Sequence, residues 1–312
     1  VTPPPDPLDA GAGSSDEEDR RRRFLRRRVT AGAAALLVVI WLISLFSGSG
    51  SGRHVTSTAT QVTVGAAATV REARRQAALA AEQKREEQAI ENVLSYTAFV
   101  TSGSADKREL ALTFDDGPGP FTAQVVATLD RLHVPATFFV VGRAVKDFGS
   151  SLPAEVAGGF VIGDHTQDHA PMTTLSRADQ VNQLLDQSRA IRPYGAPFPH
   201  LFRPPYGQFN ATTLAITRKL KMLTILWTID TNDFSQPGVE KIVSSVIDGA
   251  KPGAIVLMHD AGGPRTQTVA AIPRIVAGLR HRGYTLVTVP RLIADDPPNS
   301  SQEVPPTGLS GG

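Results

Sequence analysis

A chain of 312 residues with no cysteine has room for one or two domains, but none for a disulfide framework, a thiolate nucleophile or a cysteine-held metal cluster. Hydrophobic residues at 41% and charged residues at 20% are ordinary for a globular protein. The formal charge of +2 is local in origin: seven of the 32 basic residues are arginines of the run 20–28, and without them 25 basic residues face 30 acidic ones, which excludes a general footprint for nucleic acid.

Residues 1–28 begin rich in Pro, Gly, Ser, Asp and Glu and end in the arginine run, which predicts a disordered basic N-terminus. Val29–Phe46 follows without a charge, and a helix of that length spans roughly 27 Å, close to a hydrocarbon core. Arginines before it and only Gly and Ser just after it place the N-terminus in the cytoplasm and the rest outside. The expectation is a single-pass anchor in the cell membrane, with secretion after signal cleavage as the alternative. Residues 47–106 read as a linker followed by a helical stalk, because Ala, Glu, Gln and Arg dominate from about Ala66 to Leu94 without a clean heptad. That stalk either stands in solvent or packs on the domain.

From 107 to 293 short apolar runs alternate with amphipathic stretches. The runs are Leu110–Phe114, Ala136–Val141, Phe160–Gly163, Leu201–Arg203, Met222–Ile229, Ala254–Met258 and Thr285–Val289. The repetition predicts an α/β fold with a parallel sheet or barrel. Polar residues gather where the runs end, which is where such folds carry their chemistry. Residues 294–312 form a low-complexity segment and read as a disordered tail.

Five of these run ends carry candidate groups. Asp115 and Asp116 are adjacent carboxylates before a Gly-Pro turn; with unequal surroundings one can hold a metal while the other takes a proton. His165 and His169 stand at i, i+4, which on one helical turn brings both imidazoles to one ion. Two His and one Asp with open positions suit catalytic zinc, and equally the facial triad of an iron oxygenase. Arg203 opens a rigid Pro-Pro turn, Asp230 and Asp233 follow a long apolar run, and His259 ends the next one.

The pattern resembles the polysaccharide deacetylase family, the NodB-homology domains of carbohydrate esterase family four. The motifs are Thr113–Gly117 (TFDDG), His165–His169 (HTQDH), Arg203–Gly207 (RPPYG), Asp230–Phe234 (DTNDF) and Leu257–His259 (LMH), over about three fifths of the chain. The resemblance implies a distorted (β/α) barrel, here of about seven strands, preceded by the transmembrane helix and the stalk. It also implies a divalent metal, with zinc ahead of cobalt, nickel or manganese, and hydrolysis of acetyl groups on sugars. It assigns Asp116, His165 and His169 as metal ligands, Asp115 as general base, His259 as general acid and Arg203 as the partner of Asp115. A carboxylate of the fourth motif, Asp233 in preference to Asp230, pairs with His259. The Tyr206 amide meets the oxyanion and Leu257 lines the acetyl pocket. Phe234 stands where the family usually has Trp, so the wall facing the substrate differs, and Asp164 precedes His165 where an uncharged polar residue is commoner.

The sequence thus reads as a membrane-tethered N-deacetylase acting on an acetylated cell-surface polysaccharide, peptidoglycan first, and nothing in it calls for an obligate protein partner. The alternatives are an O-acetyl esterase of the acetyl xylan type and a non-catalytic wall-glycan-binding module.

Overall fold

The computed structural model describes residues 56–303, with side chains from 70 onward. The expected anchor at 29–46, the basic segment 1–28 and the end of the tail from 304 lie outside the described residues. Among the described residues no helix is long and apolar enough to cross a membrane.

The chain divides into two units, Val1–Leu79 and Ala80–Gly312. Of the first, the structure describes the helical residues 56–79, which are exposed wherever side chains are described. The helix they begin, α1, runs from Thr56 to Tyr96, starting inside the stretch read as linker. The second unit alternates strands and helices: β1 (Phe99–Val100), β2 (Glu109–Asp115), α2 (Thr122–Leu132), β3 (Thr137–Val140), α3 (Val145–Phe148), α4 (Leu152–Ala157), β4 (Val161–Asp164), α5 (Arg177–Ile191), β5 (Leu201–Phe202), α6 (Ala211–Lys219), β6 (Leu223–Ile225), β7 (Ile229–Asp230), α7 (Val239–Gly249), β8 (Ala254–His259), α8 (Thr266–His281), β9 (Thr285–Val287) and α9 (Val289–Asp295).

The sheet runs β1-β6-β5-β4-β3-β2-β8-β7, with β9 also on β2, and every strand pairing is parallel. The single run expected at Met222–Ile229 is broken: β6 pairs with β5 and β7 pairs with β8. At the break Leu226 N–H donates to Val100 and Thr228 N–H to Ile255. One broken strand thereby joins the two ends of the sheet into a distorted barrel. Nine strands replace the expected seven because of this break and because β1, only two residues long, leaves no periodic signal.

Strand alternation sorts the side chains. Leu110, Leu112 and Phe114 of β2, Phe138 and Val140 of β3, and Val256 and Met258 of β8 share one apolar cluster with α2, α7 and α8. On α8 the buried residues Thr268, Ala271, Ile272, Ile275, Val276 and Leu279 recur at helical spacing, giving the stripe that covers this face. The opposite strand face points into the barrel. There Ala111 of β2 and Ile255 of β8, near the strand starts, lie in a second cluster with Phe139, Leu201, Leu223 and Ile225.

The floor of that interior is closed jointly by chain before the expected 107–293 domain and by that domain's last residues. Ile90, Val93 and Leu94 of α1 and Val100 of β1 are at most 8% exposed and belong to the inner cluster, as do Val289, Leu292 and Ile293. The part of the stalk from Ala80 on therefore packs on the domain rather than standing free. Arg85 holds Asp295 at 2.8 Å beside it, an exposed pair of small worth. The expected disordered tail is held as far as it is described: Asp296 is buried and accepts from Lys107 N–H, Tyr96 donates to Pro298 and Gln302 accepts from Thr101. Low-complexity composition gave no hint of these backbone and side-chain partners.

A chain begun at residue 80 should melt cooperatively, whereas one begun at 107 should not. The latter loses four buried apolar side chains at about 1.5–3 kcal/mol each, together comparable with a whole domain's stability of about 5–15 kcal/mol. Thermal melts followed by circular dichroism check this, and matching transitions for the two chains would refute it.

Candidate active site

The parallel register brings the polar strand ends to one level. Asp115 of β2 lies opposite His259 of β8, Val140 of β3 opposite Asp164 of β4, and Asp164 opposite Phe202 of β5, the residue before Arg203. A cleft of about 130 Å³ opens there, lined by Asp115, Asp116, His165, His169, Pro204, Tyr206, Trp227, Phe234, Leu257, His259, Gly262 and Arg265.

Successive residues of a strand point to opposite faces, so adjacent carboxylates should part company. Asp116 escapes this rule with φ 74°, a left-handed conformation that turns it into the cleft Asp115 already faces. Its Oδ1 lies 3.5 Å from His165 Nε2 and 3.2 Å from His169 Nε2. The two histidines do not sit on a helical turn, as their spacing suggested. They stand in an irregular loop after β4, with Thr166 at φ 70° and His169 at φ 57°. Asp164 starts that bend: its Oδ1 accepts from Thr166 N–H at 2.7 Å, and burial raises its carboxyl well above the usual range.

The ring of His165 is set by its other nitrogen. Nδ1–H donates to the Arg203 carbonyl at 2.7 Å, which leaves Nε2 with a lone pair toward Asp116. Asp116 Oδ1 is buried without a hydrogen-bond donor, and one ligand atom from each of Asp116, His165 and His169 lies within 4.8 Å of the others. Acceptors converging in this way can share a cation. The donor set, two imidazoles and one carboxylate, fits a divalent first-row metal and leaves open positions.

Asp115 stays outside that trio and is held by Arg203, whose Nη1 donates to its Oδ1 at 2.7 Å. The guanidinium is fully buried. Nη1 also donates to Thr113 Oγ1, Nε to the Ile225 carbonyl and Nη2 to the Leu226 carbonyl, while the Phe139 ring stacks at 4.1 Å. Burial lowers the Arg203 pKa and Asp115 opposes that shift.

On the other side His259 Nδ1 meets Asp233 Oδ1 at 2.7 Å, and His259 N–H donates to Asp233 Oδ2 at 2.9 Å. Thr268 Oγ1 donates to the same Oδ2 at 2.6 Å. Burial works against a charged imidazole, but Asp233, with Asp116 and Asp115 behind it, outweighs burial and raises His259 to about 9. Burial likewise opposes ionisation of Asp233, which His259 and Thr268 nonetheless hold below the usual range. Asp230 makes no such pair; its Oδ1 accepts from Asn232 N–H at 2.8 Å.

Tyr206 takes φ 59° as the second residue of the helical turn Pro205–Gly207, where an N–H has no acceptor within the turn. Its ring stands edge-on to His169 at 4.8 Å, and the Phe234 ring stands edge-on to His259 at 5.6 Å. Eight of the ten sequence candidates line the cleft; Arg203 and Asp233 lie behind it.

The model of the polysaccharide deacetylase family matches residues 102–225. A chitooligosaccharide deacetylase of Sinorhizobium fredii is 35% identical over 211 residues, 64% of this chain and 98% of the relative. The chain belongs to the polysaccharide deacetylase family. Another relative, a peptidoglycan-N-acetylglucosamine deacetylase of Bacillus cereus, is 37% identical over 60% of this chain and 89% of its own length. The solved structure of the Bc1960 peptidoglycan N-acetylglucosamine deacetylase superposes with a TM-score of 0.61 at 29% identity, covering 63% of this chain and 92% of that one.

The sequence reading of this deacetylase-family chain missed four lining residues: Pro204, Trp227, Gly262 and Arg265. Trp227 sits in the break between β6 and β7, inside an apolar run that reads as core. Gly262 has φ 75°, and a Cβ there would collide with Asp116 Oδ2. Gly262→Ala should therefore displace Asp116, weakening zinc binding at least tenfold in equilibrium dialysis while the chain still melts cooperatively; unchanged affinity would refute the close approach.

Proposed function

We propose that this deacetylase removes N-acetyl groups from a cell-surface polysaccharide, peptidoglycan first, with Asp115 as general base and His259 as general acid. One observation carries the reading: Asp115, pinned by Arg203, sits beside the Asp116, His165 and His169 trio and opposite a His259 paired with Asp233. When bound by that trio, a divalent ion, zinc in our reading, polarises the acetyl carbonyl and acidifies water.

The remaining work falls to the chain's own groups. Asp115 takes the proton of the attacking water, and Arg203 fixes its direction. The Tyr206 N–H is the backbone donor for the oxyanion. Leu257, with Phe234 and Trp227 beyond it, supplies the apolar wall for the acetyl methyl. An amine cannot leave as its anion, so His259 donates a proton to nitrogen, and Asp233 keeps the imidazole charged and oriented. A histidine raised to about 9 is suited to an amide more than to an ester, whose alkoxide leaves with less help. Peptidoglycan is favoured by the named activity of the Bacillus cereus relative and by Val29–Phe46, which we read as a membrane tether facing the domain outward.

The full chain supplied with zinc or cobalt should release acetate from N-acetylated peptidoglycan faster than from acetylated xylan; no release from any glycan would end the proposal. Asp115→Asn should lose about 10²–10⁴ in kcat, the usual weight of a general base, with glycan binding retained. The pH dependence has a definite sign. His259 acts only when protonated, so kcat should fall as pH rises through about 9. Asp233→Asn removes the charge that raises it while burial remains, so the alkaline limb should move to lower pH, and an unmoved limb would detach Asp233 from the acid. Cell fractionation should recover the full chain with membranes, and recovery in the medium would remove the tether.

A further inference from the structure

Among the described residues, one buried cation of the cleft is not used by the acid, the base or the metal trio. Arg265 closes the turn Gly262-Gly263-Pro264 after β8 and stands at the N-cap of α8. It is 3% exposed and lines the cleft with Asp116 and Gly262. Charges so deeply buried are normally paired. Here Nη1 donates only to the carbonyl of its own neighbour Pro264, at 2.9 Å, Nε is buried without a partner, and no carboxylate forms an ion pair with the guanidinium.

The turn is shaped to this group. Gly262 and Gly263 both have positive φ, 75° and 147°, and Cβ atoms there would stand 3.3 Å from Nη2 and from Nη1 respectively. Side chains at either position would crowd the guanidinium. The amino end of α8, a helix of 16 residues, adds its positive partial charge beside it.

We propose that Arg265 binds a carboxylate in the cleft, an assignment that rests on the deacetylase reading above. A planar fork with free N–H groups receives a carboxylate bidentately. Hydrolysis of the amide by water breaks the C–N bond, forms a C–O bond and leaves a carboxylate and an ammonium. The acetyl group therefore enters the cleft neutral and leaves it charged. A carboxylate borne by the glycan itself is the second source of the same chemistry.

The test titrates sodium acetate calorimetrically into the full, zinc-loaded chain and its Arg265→Gln and Arg265→Lys variants, with acetamide as the uncharged control. Arg265→Gln should raise the acetate Kd about tenfold or more, the loss of a charge-assisted contact, and Arg265→Lys a few-fold; acetamide binding should not move. An acetate Kd unchanged in Arg265→Gln overturns the assignment. If that variant loses its cooperative melt, Arg265→Lys decides, and an unchanged Kd there overturns it equally. A rise in KM of Arg265→Gln confined to glycans with free lactyl carboxylates, and absent with neutral chitotetraose, assigns the glycan source; unchanged KM for both alongside weakened acetate assigns the released product. The titration needs no turnover. A chain that binds acetate through Arg265 yet deacetylates nothing keeps this assignment and loses the proposed function.

Discussion

The site depends on one buried ion pair. Arg203 carries a charge that cannot be neutralised inside the barrel, and Asp115 is its counter-ion at 2.7 Å. Desolvating two charges is costly unless the remaining hydrogen-bonding capacity is satisfied. The guanidinium meets that condition with Thr113 of β2, two carbonyls at the end of β6 and the face of Phe139. Its own carbonyl then fixes the ring of His165. One side chain and one backbone oxygen of the same residue thus orient both the Asp115 carboxylate and the His165 imidazole, so the two cannot drift independently.

The barrel interior explains why such a pair can persist. Toward the strand starts it is apolar and sealed by Ile90, Val93 and Leu94 of α1 with Val289, Leu292 and Ile293 of α9. Toward the strand ends it turns polar. A low-polarity floor beneath the cleft strengthens every electrostatic contact above it, and His259 shows the result: Asp233 overcomes the cost of burial and leaves the imidazole charged at neutral pH.

Much of this was legible in the sequence. Seven apolar runs marked the strands, and residues at their ends marked the cleft, because a parallel sheet buried on both faces writes itself as continuous hydrophobic stretches. The preference for Asp233 over Asp230 agrees with the 2.7 Å contact to His259. The rest hid for identifiable reasons. His165 and His169 stand four apart as on a helix, yet left-handed residues, invisible in a spacing, bring them together in a loop. β1 is too short for any period, and the Ala-rich helix shows its docking only through Ile90, Val93 and Leu94, three residues in an otherwise solvated pattern. Trp227 looked like core because its strand breaks there. Arg265 carried no signal because nothing nearby in sequence says that a glycine turn will fold over it.

The pairing of Asp115 with His259 across neighbouring strands also fixes a spacing. Two residues facing each other in a parallel ladder are held at the repeat of the main chain, about 4.8 Å between strands. No exchange of side chains elsewhere in the barrel stretches or compresses that ruler. The separation of these two backbones is in this sense a property of peptide geometry, and variation in the cleft must be sought in the segments beyond the strand tips, where Tyr206, Phe234 and the 262–265 turn reside.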